Sequence, residues 1–163
     1  MYHRIPLAFD VGPTPIPDQT PERFLPATVP GAVQLDWARA HDWPPVEYLR
    51  SGKDEAPHFT AEGGIVLARD YAWMEHSFWL YRAALDFTPL APDERLFLVC
   101  GGVDYQCEIR LDGRLVHAQE GMFTPIELDL TEHATSGSQL DILVHPAPQW
   151  EISQPVKVVT FCK

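Results

Sequence analysis

From Tyr105 to Leu111 apolar and polar side chains take turns, with Tyr105, Cys107, Ile109 and Leu111 set against Gln106, Glu108 and Arg110. A period of two belongs to a strand with one dry and one wet face. Asp112-Gly113 follows, a pair suited to the two positive-φ positions of a two-residue hairpin turn. Pairing back across that turn sets Val116 opposite Ile109 and Ala118 opposite Cys107, which continues the dry face.

The same period recurs along the second half of the chain. From Phe78 to Phe87, Trp79, Tyr81, Ala83, Leu85 and Phe87 alternate with residues that include Arg82 and Asp86. Ile126, Leu128 and Leu130 alternate with Glu127 and Asp129, and Leu140, Ile142 and Val144 alternate with partners that include Asp141. Leu96 to Cys100 is apolar throughout and reads as a central strand covered on both sides. Val156 to Phe161 gives a last short strand. Helical periodicity is confined to one short stretch after Pro30-Gly31, with Val33, Trp37 and Ala40 on one side, ending before Pro44-Pro45. Short strands separated by turn residues, with one short N-terminal helix, predict an all-β chain folded as an antiparallel β-sandwich or jelly roll.

The first 30 residues hold seven prolines and little periodicity, which predicts an extended segment lying over the domain surface. Residues 46–72 read as a long loop, polar and irregular through Ser51-Gly52-Lys53-Asp54-Glu55 and Glu62-Gly63-Gly64. No repeat or shift in composition divides residues 1–163, so they are expected to form a single domain. At this length a domain buries roughly two-thirds of its unfolded surface, and 45% hydrophobic residues supply the core. The 16 prolines against 10 glycines fit stiff connections between short elements.

Charge narrows the partners. With 12 Lys and Arg against 23 Asp and Glu, the net charge is −11. Nucleic acid and anionic membrane both require clustered basic residues, and no apolar run approaches the ~20 residues of a membrane span. The expectation is no nucleic acid and no membrane. Met1-Tyr2-His3-Arg4-Ile5-Pro6 lacks the apolar core of a secretory signal, which leaves the compartment, periplasmic or cytoplasmic, unassigned. Cys100 and Cys107 sit in apolar strand patterns as small hydrophobes, and Cys162 lies beside the C-terminus.

Recognisable catalytic patterns do not emerge from the spacing. The seven histidines form no H-x-H or H-E-x-x-H pair and have no cysteine at ligand spacing. There is no G-x-S-x-G elbow. Gly101-Gly102 lies between two strands, with no helix N-terminus to hold a phosphate.

Five stretches, in order, resemble one family. Ala27-Thr28-Val29-Pro30-Gly31-Ala32-Val33-Gln34-Leu35-Asp36 is similar to the opening motif of the N-terminal domain of family 2 glycoside hydrolases, in particular the β-mannosidase branch. Trp73-Met74-Glu75 with Phe78-Trp79-Leu80-Tyr81-Arg82 resembles the start of that domain's main sheet. Gly102-Val103-Asp104 with Leu111-Asp112-Gly113, then Gly121-Met122-Phe123-Thr124-Pro125, then Leu128-Asp129-Leu130-Thr131, resemble the later landmarks. The likeness covers roughly residues 24–146. It implies a jelly roll related to galactose-binding modules, packed beside an immunoglobulin-like domain and a (β/α)₈ barrel. The barrel of such an enzyme carries two catalytic glutamates that work by the retaining mechanism.

Those glutamates, and the Trp-Asp pair that β-mannosidases send into the sugar pocket, have no counterpart before Phe161-Cys162-Lys163. The expectation is therefore a domain of a longer hydrolase, inactive alone, whose partners are a carbohydrate substrate and the other domains of its polypeptide. No cofactor is implied, and a structural calcium in a loop is left open. The near alternative activity is of β-galactosidase type. The rival classes are a freestanding carbohydrate-binding module and a protein-interaction sandwich.

Within the chain, Trp79 and Tyr81 share the dry face with Leu85 and are assigned to the core. Trp37 and Trp43 are expected to bury against the sandwich, and Arg82 to pair with Glu75 or Asp104. Asp104 reads as a turn or edge residue, and His117 as facing solvent or an interdomain surface. No residue is assigned a catalytic or metal-binding role. The candidate ligand-binding residues are Asp70, Trp73 and Glu75, at the end of the long loop. An aromatic face flanked by carboxylate acceptors is what a polyol with apolar ring faces requires.

Overall fold

The computed structural model describes residues 3–45, 57–60, 62–146 and 148. Strands β1 (Phe9–Thr14) and β2 (Leu25–Ala27) precede helix α1 (Val33–His41), and a small hairpin follows, β3 (His58–Phe59) and β4 (Ile65–Val66). A 3₁₀ segment spans Ala68–His76. Then come β5 (Phe78–Ala84), β6 (Phe97–Cys100), β7 (Gln106–Leu111), β8 (Arg114–Glu120), β9 (Ile126–Asp129) and β10 (Gln139–Val144). All pairings are antiparallel. One sheet has six strands in the order β2-β1-β5-β10-β7-β8, and β6 pairs with β9 in a second. The all-β sandwich expected from the alternation is the fold observed.

The inner face of the large sheet carries Tyr81, Ile109, Leu140 and Ile142 into one core. The small sheet contributes Ile126, with Leu98 and Leu128 packed against it. Ile109 and Leu140 are completely buried. The other half of the inner face, with Val11 and Trp79, is covered by α1 and the 3₁₀ segment through Ala38, Tyr71 and Met74.

Several expectations are corrected. The N-terminal segment is not merely laid over the surface, because β1 is a full member of the large sheet and Val11 is buried. Its proline is tolerated because β2 pairs only with Phe9–Val11. Pro13 therefore lies where β1 is the sheet edge and a missing N–H costs no ladder bond. Within the stretch read as a long loop, residues 58–66 hold the β3–β4 hairpin and the 3₁₀ segment begins at Ala68.

The hairpin turn forms as its sequence demands, with φ of 48° at Asp112 and 80° at Gly113. The register beyond it does not. An irregularity between Ile109 and Arg110 makes Val116 an extra residue, so Ile109 faces His117 and Cys107 faces Gln119. Such a bulge moves every later side chain to the opposite face, and Ala118 is exposed. Leu96–Cys100 is not a central strand either. It yields β6, which among the described residues pairs only with β9 and leaves Phe97 and Val99 exposed. On α1, Ala40 is exposed, whereas Asp36 and Ala38 are buried. The strand expected at Val156–Phe161, together with Cys162, lies outside the described residues.

Candidate functional site

The helix and the 3₁₀ segment meet over an aromatic cluster. Trp37 stands edge-on to Trp43, Trp73 and Trp79, with ring centroids 6.4, 4.9 and 6.4 Å away. It stacks on His41 at 3.9 Å. Trp73 lies 5.7 Å from Trp79, tilted by 34°. Edge-on contacts of this kind suit the quadrupoles of the rings. Trp79 is buried and donates its indole N–H to the Met74 carbonyl at 3.1 Å, as a core residue should. Tyr71 donates its hydroxyl hydrogen to the Pro44 carbonyl at 2.8 Å, tying the 3₁₀ segment to the chain after α1.

α1 is held in place by a carboxylate. Asp36 is 2% exposed and accepts the backbone N–H of Thr28 at 3.2 and 3.1 Å, while Arg39 donates to it at 2.9 Å. A buried acid must be compensated in this way. The Thr28…Asp36 spacing of the opening motif is therefore a clamp between β2 and the helix.

All three candidate ligand residues lie on the 3₁₀ segment. In that geometry residues three apart line up, so Asp70 and Trp73 share one side and Glu75 lies on another. Asp70 is half-buried and accepts the Leu67 N–H at 2.8 Å, which closes the first turn of the segment. Trp73 keeps 36% of its surface exposed although two other tryptophans contact it. Glu75 is exposed. The segment thus offers a partly exposed aromatic face at Trp73, one carboxylate engaged by the segment's own backbone at Asp70, and one exposed carboxylate at Glu75.

A second polar constellation, missed in the sequence, crosses the outer face of the large sheet. Arg82 grips Asp141 with Nε–Oδ1 and Nη2–Oδ2 contacts of 2.8 and 2.9 Å. The partner is therefore Asp141, neither Glu75 nor Asp104. The hydrogen bond to Asp141 raises the guanidinium pKa further above its ordinary value. Arg110 binds Glu108 at 2.7 Å and Asp18 at 3.1 Å, and His145 reaches Glu108 at 3.1 Å. Each member satisfies another, so the network reads as structural. Asp104 is exposed and His117 half-buried. Cys100 and Cys107 are free thiols, and burial pushes the Cys107 thiol pKa up, the nearby Cys100 adding to it. Such a thiol is unreactive.

Among the described residues no group of three or more His, Cys, Asp or Glu is placed to hold a metal. No helix there is long and apolar enough to cross a membrane.

Antiparallel sheets of six and two strands, closed over one apolar core, define a galactose-binding-like β-sandwich. A family model described as glycosyl hydrolase 2 galactose-binding domain-like matches residues 66–157, and the chain belongs to that family. Solved structures share the fold. A β-D-mannosidase from Dictyoglomus thermophilum superposes with TM-score 0.59 at 17% identity, covering 85% of this chain and 15% of that one. A β-D-glucuronidase of the same organism gives 0.54 at 15% identity, covering 94% and 21%. A β-glucuronidase from an uncultured Clostridium gives 0.52 at 18%, covering 85% and 21%. This chain thus spans about a fifth or less of the solved chains it resembles. Among curated protein sequences none matches it.

Proposed function

We propose that this domain is the N-terminal, non-catalytic part of a retaining family 2 glycoside hydrolase of β-mannosidase type, with β-galactosidase-type activity as the near alternative. The observation that carries the reading is the family match over residues 66–157 on a sandwich whose polar networks are internally satisfied. In this reading the domain buttresses the catalytic barrel and walls part of the substrate cleft. Hydrolysis is performed by two carboxyl groups of the barrel, ~5–5.5 Å apart. The shelf at Trp73 receives the apolar face of a sugar ring, and Glu75 accepts a hydroxyl hydrogen. Asp70 holds the shelf in place through the Leu67 N–H.

The test compares this chain with the polypeptide encoded by its full reading frame. The chain alone should not hydrolyse nitrophenyl β-mannoside, β-galactoside or β-glucuronide, and the longer product should prefer the mannoside. Replacing Trp73 with Ala in the longer enzyme should lower kcat/KM roughly five- to tenfold, mostly through KM, the scale of one stacking contact. Turnover by the chain alone, lost on replacing one of its own acids, overturns the reading, as does a reading frame that ends at residue 163.

A further inference from the structure

The geometry points to the outer face of the β6–β9 sheet as a docking surface for another domain of the same polypeptide. β6 alternates, so Leu98 and Cys100 turn toward the core while Phe97 and Val99 turn away from it. Phe97 is 45% exposed and Val99 70%. The β8–β9 loop carries two further exposed apolar side chains, Met122 at 38% and Phe123 at 86% exposure. That loop is pressed against the residues following β6. A Cβ added at Gly102, whose φ is +150°, would collide with the Met122 carbonyl oxygen. Only glycine permits both that backbone angle and that approach. The loop carrying Phe123 is therefore held beside the sheet.

Grouped exposed apolar side chains mark an interaction surface, whereas scattered ones do not. On the large sheet the chain covers the outer face with its own residues. Here, among the described residues, it leaves two phenylalanines, a valine and a methionine in water. The occupant follows from the proposed function, on which this inference rests. The solved glycosidases of this fold have most of their length outside the matched region, this chain covering 15–21% of each. The border of the strip specifies the partner's chemistry. Phe97 is paired with Asp129 and Val99 with Glu127, both exposed acids, and Arg95 lies 3.5 Å from Asp129. With Asp129 already paired by Arg95, an apolar patch that sets a Lys or Arg opposite Glu127 complements that border.

The experiment places Val99→Glu and Phe123→Glu, singly and together, in this chain and in the full polypeptide, and follows thermal unfolding. In this chain the double variant should melt within about 2 °C of the wild type, since both sites are on the surface. In the full polypeptide it should lower the melting temperature by several degrees, or split one transition into two as the domain uncouples. An unchanged full polypeptide overturns the docking surface and leaves the proposed function standing. Three other results also overturn it. One is a large loss in this chain alone, which would mean that its own residues cover the strip. Another is a sedimenting dimer of this chain that the variants dissociate, which would assign the strip to a second copy. A reading frame ending at residue 163 removes the proposed function and the docking surface together.

Discussion

The two sheets of the sandwich share a core but finish their outer faces in opposite ways. On the large sheet, Leu80 and Leu143 point away from that core and are nevertheless buried. Residues 15–24 cross over them. Pro21 lies so close to Gly12 that no Cβ fits there, the Phe24 ring sits 5.1 Å from the Arg82 guanidinium, and Asp18 reaches Arg110 at 3.1 Å. Arg82 with Asp141, and Arg110 with Glu108, fill the rest of the face with paired charge. The small sheet has no such cover among the described residues. Its inward residues Leu98 and Cys100 are only half-buried, and its outward Phe97 and Val99 are exposed. Local alternation therefore says which side chains oppose each other, while coverage decides which of them are dry.

The largest expected effect breaks the comparison at the core. Ile109 is 0% exposed on the inner face of the large sheet, on β7 between β10 and β8, so Ile109→Asp buries an ionised carboxylate without a partner. The cost is several kcal/mol, comparable with the ~5–15 kcal/mol stability of an ordinary domain. The variant should be unfolded at 25 °C by far-ultraviolet circular dichroism. Leu98→Asp, at the matching inward position of the small sheet, reaches water and should remain folded with a lower melting temperature. If Leu98→Asp is the worse of the two, the small sheet is the dominant layer and the comparison is inverted.

The sequence pattern made β7 and β9 legible because each buries mainly one side, and β5 and β10 legible because polar Arg82 and Asp141 keep the period of two although Leu80 and Leu143 are buried on that same side. β1 was hidden by Gly12 and Pro13, which look like loop residues; they are accommodated by the passing Pro21 and by the free sheet edge. The bulge at Val116 leaves no trace in a pattern that reads Leu115, Val116, His117, since the extra residue is itself apolar. β6 was misread because five apolar residues in a row carry no period, and only the partner strands say which of them are covered. For the candidate site, the 3₁₀ segment's aromatic content was visible, but the approach of Trp37 to Trp73 was not. It depends on the Thr28–Asp36 clamp, a contact of a backbone N–H that no side-chain pattern records. Arg82 and Asp141 are 59 residues apart and become neighbours only once β5 is known to pair with β10.

A middle-sized effect tests the paired charge on the large sheet. Asp141→Ala strips Arg82 of its bidentate partner and Gln139 of an acceptor. Removing one member of a buried pair costs about 3–5 kcal/mol. Arg82 is 29% exposed and recovers part of this from water, so about 2 kcal/mol is expected. Arg110→Asp is also destabilising, by about 1 kcal/mol, although alternation alone marks Arg110 as a tolerant surface position. It would set a third carboxylate beside Glu108 and Asp18. Urea unfolding with an unchanged m-value measures both. If both variants match the wild type, the outer face of the large sheet is no better finished than that of the small one.

An effect that is nil at neutral pH and grows only above about pH 10 reads the inner face of the large sheet by titration. Burial, with the Asp36 charge adding to it, pushes the Tyr81 phenol up to about 12. In the unfolded chain a phenol titrates near ~10. Between those values the folded state keeps a proton that the unfolded state has released, so unfolding releases it and becomes more favourable as pH rises. The contribution of Tyr81 is therefore fully present below about pH 10 and is lost as pH climbs through about 12. Tyr81→Phe removes the titrating group while keeping the ring against Phe9, which stands 6.3 Å away edge-on. Unfolding free energy measured from pH 9 to 12 should fall more steeply for the wild type than for Tyr81→Phe. Parallel curves would mean that water reaches the phenol, and that the large sheet's inner face is as incompletely sealed at Tyr81 as the small sheet's is at Leu98.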